Sequence, residues 1–151
     1  MPTVSLNKMI EKLELKNLTP EVSTEGIESS SPDINRPALQ LAGYFEHFAC
    51  ERVQIIGYVE YTYLKSQNRE EKLKNYERFM SSKIPCVIYA SRTEPDEDMY
   101  EMARKYNKPL LFSNRMTSPL MAEVIRWLNV ELAPCISIHG VLVDVYGEGI
   151  L

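Results

Sequence analysis

Along this chain, short apolar runs alternate with helical stripes, a rhythm that predicts strands and helices in turn. Leu6, Met9, Ile10 and Leu13 recur at helical spacing behind Ser5, whose hydroxyl suits an N-cap. Residues 19–35 are rich in Ser, Glu and Pro and predict a loop, with at most a short strand around Ile27. Pro37 suits the first turn of a short helix over 38–43, which Gly43 ends. The run at 53–56, closed by Gly57, predicts a strand, and 58–80 turns polar and helical. The clearest unit spans 86–113. It comprises a buried strand at 86–90, a helix at 94–107 with Met99, Met102, Ala103 and Tyr106 on one face, and a second strand at 110–112. That length fits a βαβ unit. A further helix, capped by Ser118, is expected from Pro119 to about Leu132, and Pro134 separates it from an alternation at Val141, Val143 and Val145.

The pattern therefore predicts an α/β domain over residues 1–133 and the opening of another unit over 134–151. A row of β-branched residues guarded only by Asp144 would be an exposed edge. The chain thus reads as cut from something longer, and 136–151 is expected to pair with a neighbouring chain or to lie against its own domain.

Charge narrows the choice of partners. Twenty-one acidic against seventeen basic residues give a net charge of -4, with no electrostatic footprint for nucleic acid or an anionic membrane. The mixed signs from Arg69 to Lys72 and at Glu77 and Arg78 read as a solvated helix face. No apolar run approaches the roughly 18 residues of a membrane span, and no signal peptide opens the chain, so a soluble cytoplasmic protein is expected. Cys50, Cys86 and Cys135 are odd in number and widely spaced, which favours reduced, mostly buried thiols over disulfides or zinc. His47 and His139 lie far apart and form no local metal-ligand pair.

In open α/β sheets, ligands favour the crevice beyond the carboxyl ends of parallel strands. The predicted ends carry Arg92 and Thr93 after the first βαβ strand, and Arg115 and Ser118 after the second. Two readings fit. Thr93 and Ser118 are helix caps and the arginines are solvated, or the four residues form a site for a small anion. Neither loop has the glycines of a dinucleotide or P-loop cradle. Asp33, Asn35 and Arg36 beside Pro37 are expected to form a local hydrogen-bonded turn, and Tyr58, Tyr61 and Tyr63 to be half-buried packing. His139, followed by Gly140, stands at the mouth of the last strand pattern, where a structural role and a chemical one are both open.

Four segments, DINRPALQLAGY from Asp33, ERVQIIG from Glu51, LAP from Leu132 and HGVLVDVYGEGIL from His139, together resemble the HPr kinase/phosphorylase family of Gram-positive bacteria. The resemblance spans essentially the whole chain. It implies a mixed α/β sheet with flanking helices like the N-terminal domain of Mur ligases. The last stretch becomes a β-hairpin stub leading into a P-loop kinase domain beyond Leu151. It further implies an enzyme that uses ATP and Mg2+ to phosphorylate a serine of the phosphocarrier HPr, and removes the group by attack of phosphate. Such enzymes are homohexamers that act in carbon catabolite repression. Of the family's active-site residues, only His139 falls within this chain. The 151 residues are accordingly expected to hold no cofactor or metal and to be inactive alone. The competing expectation is a free-standing regulatory module that senses a small anionic metabolite.

Overall fold

In the computed structural model, residues 2–133 are described; Cys135, His139 and the strand and pairing expected over 136–151 lie outside the described residues. The elements follow the chain as β1 Val4–Ser5, α1 Leu6–Lys12, β2 Lys16–Asn17, β3 Glu28–Ser29, β4 Ile34–Asn35, α2 Ala38–Leu41, β5 Val53–Ile56, α3 Tyr58–Ser66, α4 Arg69–Met80, β6 Val87–Tyr89, α5 Glu97–Tyr106, β7 Leu110–Phe112 and α6 Thr117–Leu132. Five strands form one sheet in the order β2-β7-β6-β5-β4. The pairs β4–β5, β5–β6 and β6–β7 are parallel, and β2 closes one edge antiparallel to β7. The expected βαβ unit is β6–α5–β7, in register from Val87 opposite Leu110 to Tyr89 opposite Phe112. A separate two-stranded ladder joins β1 to β3, the latter directly after Ile27.

The continuous apolar strands follow from helices covering both faces of the sheet. Ile55, Ile88 and Leu111 pack with Met9 and Leu13 from the first helical segment and with Val124 and Leu128 of α6. Their neighbours Ile56, Tyr89 and Leu110 point the other way, against Tyr76, Phe79 and Met80 of α4 and Met99 and Ala103 of α5. Because strand side chains alternate faces, successive residues feed two separate cores. Cys86 belongs to the first, and its complete burial pushes the thiol up to about 12. Cys50 is half-buried, and both are free thiols.

Local chemistry moves several boundaries. Ser5 caps α1 as expected, accepting from the Lys8 amide. The polar stretch 58–80 is two helices, because the Asn68 side chain accepts from the amides of Glu70 and Glu71 and starts α4 afresh. Helix α5 begins three residues later than the pattern suggests, since Asp96 accepts from the Met99 amide; it ends where Asn107 turns left-handed at φ 55. Ser118 is not the cap of α6. That helix starts at Thr117 behind Met116, without a side-chain cap, and Pro119 sits in its first turn, where a missing N–H costs nothing. The mixed-charge face is only partly solvated. Arg69 donates twice to Asp98, and Lys72, 14% exposed in its side chain, lies 2.8 Å from Asp96, so the pairs tie α4 to α5.

Candidate functional site

The carboxyl ends of β4 to β7 bring Arg36, Gly57, Ser91–Thr93 and Ser113–Thr117 to one edge of the sheet. Backbone contacts stitch these loops together, with the Ser91 amide donating to the Arg115 carbonyl at 2.8 Å. At one end sits an ionic knot that the sequence reading missed. Glu60, 3% exposed, accepts from Arg36 Nη2 at 2.7 Å and from the Gly57 amide at 2.8 Å, through the same oxygen. Its carboxylate thus supplies one half of a capping box for α3, with a glycine at the cap. Asn35 likewise reaches away from its own loop to Gln54, at 2.7 Å. The expected local turn is therefore reduced to Asp33, whose carboxylate accepts from the Ile34 amide.

Gly57 is there because nothing larger fits. Its φ of -103 and ψ of -172 are open to any residue, but a Cβ would lie 2.6 Å from both Cγ2 and Oγ1 of Thr117. The close approach lets the start of α6 sit against the start of α3, where Thr117 Oγ1 accepts from the Tyr58 amide at 3.4 Å.

The four candidate anion-site residues do not converge as one set. Arg92, exposed and left-handed at φ 70, lays its guanidinium over the Tyr58 ring at 4.7 Å. Thr93 is buried and donates its hydroxyl to the Ala90 carbonyl at 2.7 Å, making it a turn residue rather than a helix cap. Arg92 and Thr93 line a cleft of about 540 Å3 that they share with Lys16, Tyr100 and Phe112. Arg115 is instead directed at the Leu13 carbonyl, 2.8 Å away, so it braces the turn after α1. Ser118 is exposed in the first turn of α6. Lys16, a cation not singled out in sequence, reaches this cleft because β2 pairs antiparallel with β7.

A second cleft, of about 410 Å3, adjoins the first across Tyr61, Glu94 and Pro95. Tyr89 lines it from the end of β6, and Lys72, Tyr76 and Asp96 from the α4–α5 seam. Asp96 Oδ2 accepts from Lys72 Nζ at 2.8 Å and from the Tyr76 hydroxyl at 2.9 Å. Burial raises both tyrosine hydroxyls far above the usual phenol range, with nearby charge reinforcing the shift, so both stay protonated and neutral.

Among the described residues, no group of three or more His, Cys, Asp or Glu could hold a metal ion, and no helix is long and apolar enough to cross a membrane. Their glycines, Gly26, Gly43 and Gly57, are scattered and build no phosphate cradle.

Comparison with known proteins places these features in context. The family described as HPr Serine kinase N terminus matches residues 4–128. HPr kinase/phosphorylase of Lachnoclostridium phytofermentans is 51% identical over the whole chain and 49% of its own length. That of Caldicellulosiruptor bescii is 43% identical over 97% of the chain and 47% of its own length. The chain thus spans about half the length of the curated relatives it matches. Among solved structures, the CBS and DRTGG domains of the regulatory region of Clostridium perfringens pyrophosphatase align over 80% of this chain and 45% of that one, with a TM-score of 0.47 and 15% identity.

Proposed function

We propose, because the chain belongs to the HPr serine kinase N-terminus family, that it forms the N-terminal region of a bifunctional cytoplasmic enzyme that phosphorylates a serine of HPr and reverses the reaction by phosphorolysis. One observation carries this reading: the relatives named HPr kinase/phosphorylase match the full chain with about half of their own length. On this reading the α/β domain resembles the N-terminal domain of Mur ligases, and 134–151 opens the catalytic domain. The parent enzyme is a homohexamer of carbon catabolite repression, with ATP and Mg2+ held beyond this chain.

Phosphoryl transfer relies on metal and phosphate clamps that stabilise charge on the transferring group. On this reading the clamps stand beyond the described residues, whose role is architectural or regulatory, and His139 is the one residue proposed to stand near the chemistry. The decisive comparison is phosphotransfer and phosphorolysis on HPr by the full-length product, its His139→Ala variant and the 151-residue chain. Activity should be robust in the first, reduced in the second and absent from the third. Phosphorylation of HPr by the 151-residue chain would overturn the assignment of chemistry to the remainder.

A second reading is favoured by the shared cleft of Lys16 and Arg92, two cations brought together by the edge strand. There the domain is a regulatory module for a small anion, held by Lys16 and Arg92 beside the Thr93 turn, without Arg115 and Ser118. Titration with inorganic phosphate tests it: saturable shifts at Lys16 and Arg92 support the site, and their absence removes it.

A further inference from the structure

The cleft of about 540 Å3 that holds Lys16 and Arg92 has an apolar floor as well as a charged rim. Leu18, Tyr61, Tyr100 and Phe112 line it, and each of them is only half-buried. Leu18, Tyr100 and Phe112 pack against the second core from its outer side. Half-buried rings along an open cleft present apolar surface that an outside group can cover.

The register of the edge strand sets the cations against this floor. Lys16 of β2 stands opposite Phe112 of β7. Directly opposed residues on neighbouring strands share one face of the sheet, with Cβ atoms about 5 Å apart. Arg92 follows β6, which is the next strand inward. Among the described residues neither cation forms an ion pair, and Arg92 rests on the Tyr58 ring. Glu94 is the one carboxylate on this wall. It is shared with Lys65 of the adjoining cleft, whose ammonium form is favoured first by Tyr61 and further by Glu94.

These two features select one kind of occupant. A bare anion would meet two exposed cations, whose attraction in water is small, and would have to draw Arg92 off Tyr58. A neutral ring would leave both cations unused, and a cation would be repelled by them. A flat ring that carries a phosphate monoester uses floor and rim together, because the ester holds about -1.5 to -2 charge at pH 7. Resting on the reading of this cleft as an anion site, we propose that it binds a phosphate monoester borne on an aromatic ring. The ring lies on Tyr61, Tyr100 and Phe112, and the phosphate is held by Lys16 and Arg92. The volume falls within the range of about 300–1,000 Å3 common to small-molecule sites.

The test is an NMR titration of the isotopically labelled chain with AMP, ribose 5-phosphate and adenosine, which carry ring and anion, anion alone and ring alone. AMP should produce saturable shifts at Lys16, Arg92 and Phe112, with a dissociation constant on the order of 1 mM. The other two should bind about tenfold more weakly. Lys16→Gln, on the exposed edge strand, should weaken AMP about 3- to 5-fold and leave adenosine unchanged. Tyr100→Leu, which keeps apolar packing and removes the ring, should weaken AMP by about the same factor and leave ribose 5-phosphate unchanged. Ribose 5-phosphate binding as tightly as AMP, or an unaltered AMP affinity in Tyr100→Leu, would overturn the aromatic floor and leave the anion module standing. Adenosine equalling AMP, or an unaltered AMP affinity in Lys16→Gln, would overturn the role of the charged rim. No saturable shift with either AMP or ribose 5-phosphate would remove both the proposal and the anion module.

Discussion

Gly57→Ala separates two opposed effects by sign. Since φ -103 and ψ -172 are accessible to alanine, the substitution costs no backbone strain and narrows the unfolded ensemble. That contribution alone would stabilise the fold by about 0.4–1 kcal/mol. Against it stands the contact of the new methyl group with Thr117, at 2.6 Å from two of its side-chain atoms, and with Arg36 Nη2 at 3.0 Å. Rotating Thr117 about χ1 offers limited relief, because a β-branched side chain in a helix is stiff and Oγ1 would leave the Tyr58 amide. Overpacking of this kind costs about 1–3 kcal/mol, so the contact wins and the net loss should be about 1–2 kcal/mol.

For a chain of 151 residues, the unfolding entropy near the midpoint is about 0.3 kcal/mol/K, which converts that loss into a drop of roughly 3–6 °C. Thermal unfolding followed by circular dichroism would measure it. Thr117→Ala removes both offending atoms, so in the double variant most of the loss should return; the cycle should show about 1 kcal/mol of favourable coupling. An unchanged or higher midpoint in Gly57→Ala, or strictly additive single effects, would refute the account of why glycine stands there.

The remaining expectations concern the ionic knot, the interhelical seam and the cysteines. Glu60→Ala strands the partly buried Arg36 guanidinium and the Gly57 amide, and should cost about 2 kcal/mol in urea titrations; Glu60→Gln, which can still accept from Gly57, should cost about half as much. The Asp98 carboxyl is held below the usual carboxylate range, first by its hydrogen bonds from Arg69 and further by Lys72. A depressed value means the stabilisation is present above the ordinary aspartate value of 3.8 and is lost as pH falls through the lower folded value. Urea midpoints between pH 5 and pH 2, roughly the span over which paired aspartates titrate, should therefore fall less steeply for Asp98→Asn than for the parent chain. With its thiol pushed up to about 12, Cys86 should resist iodoacetamide in the native protein and react in urea, whereas half-buried Cys50 should react first; peptide mapping distinguishes them.

Local chemistry explains which parts of the fold were legible in sequence. Ser5, the 53–56 run with Gly57, the βαβ unit at 86–113 and the stripe of α6 each depend on residues a few positions apart, and each element exists. What failed to read was chemistry local in space but distant in sequence. The expected turn at Asp33–Arg36 sends Arg36 to Glu60, 24 residues away, and Asn35 to Gln54, 19 away. Spacing along one chain cannot supply those partners. A topological signal was available: Arg36 follows one parallel strand directly, and Glu60 stands in the first turn after its neighbour, so the register of β4 on β5 brings them level. The split between α3 and α4 was signalled as well, by Asn68 ahead of Glu70 and Glu71, a cap followed by acidic first-turn residues.

The same distinction bears on the candidate site. Arg92, Thr93, Arg115 and Ser118 were grouped because they follow the ends of adjacent strands, and adjacency does bring their loops into contact. Loop contact does not fix side-chain direction. The left-handed turn at Arg92 sends its guanidinium to Tyr58, while Arg115, after Ser113 has accepted from its amide, reaches back to Leu13. Binding of an anion at Arg92 would therefore require its guanidinium to leave the Tyr58 ring first. That rearrangement adds to the cost of association, so phosphate should bind this cleft only weakly.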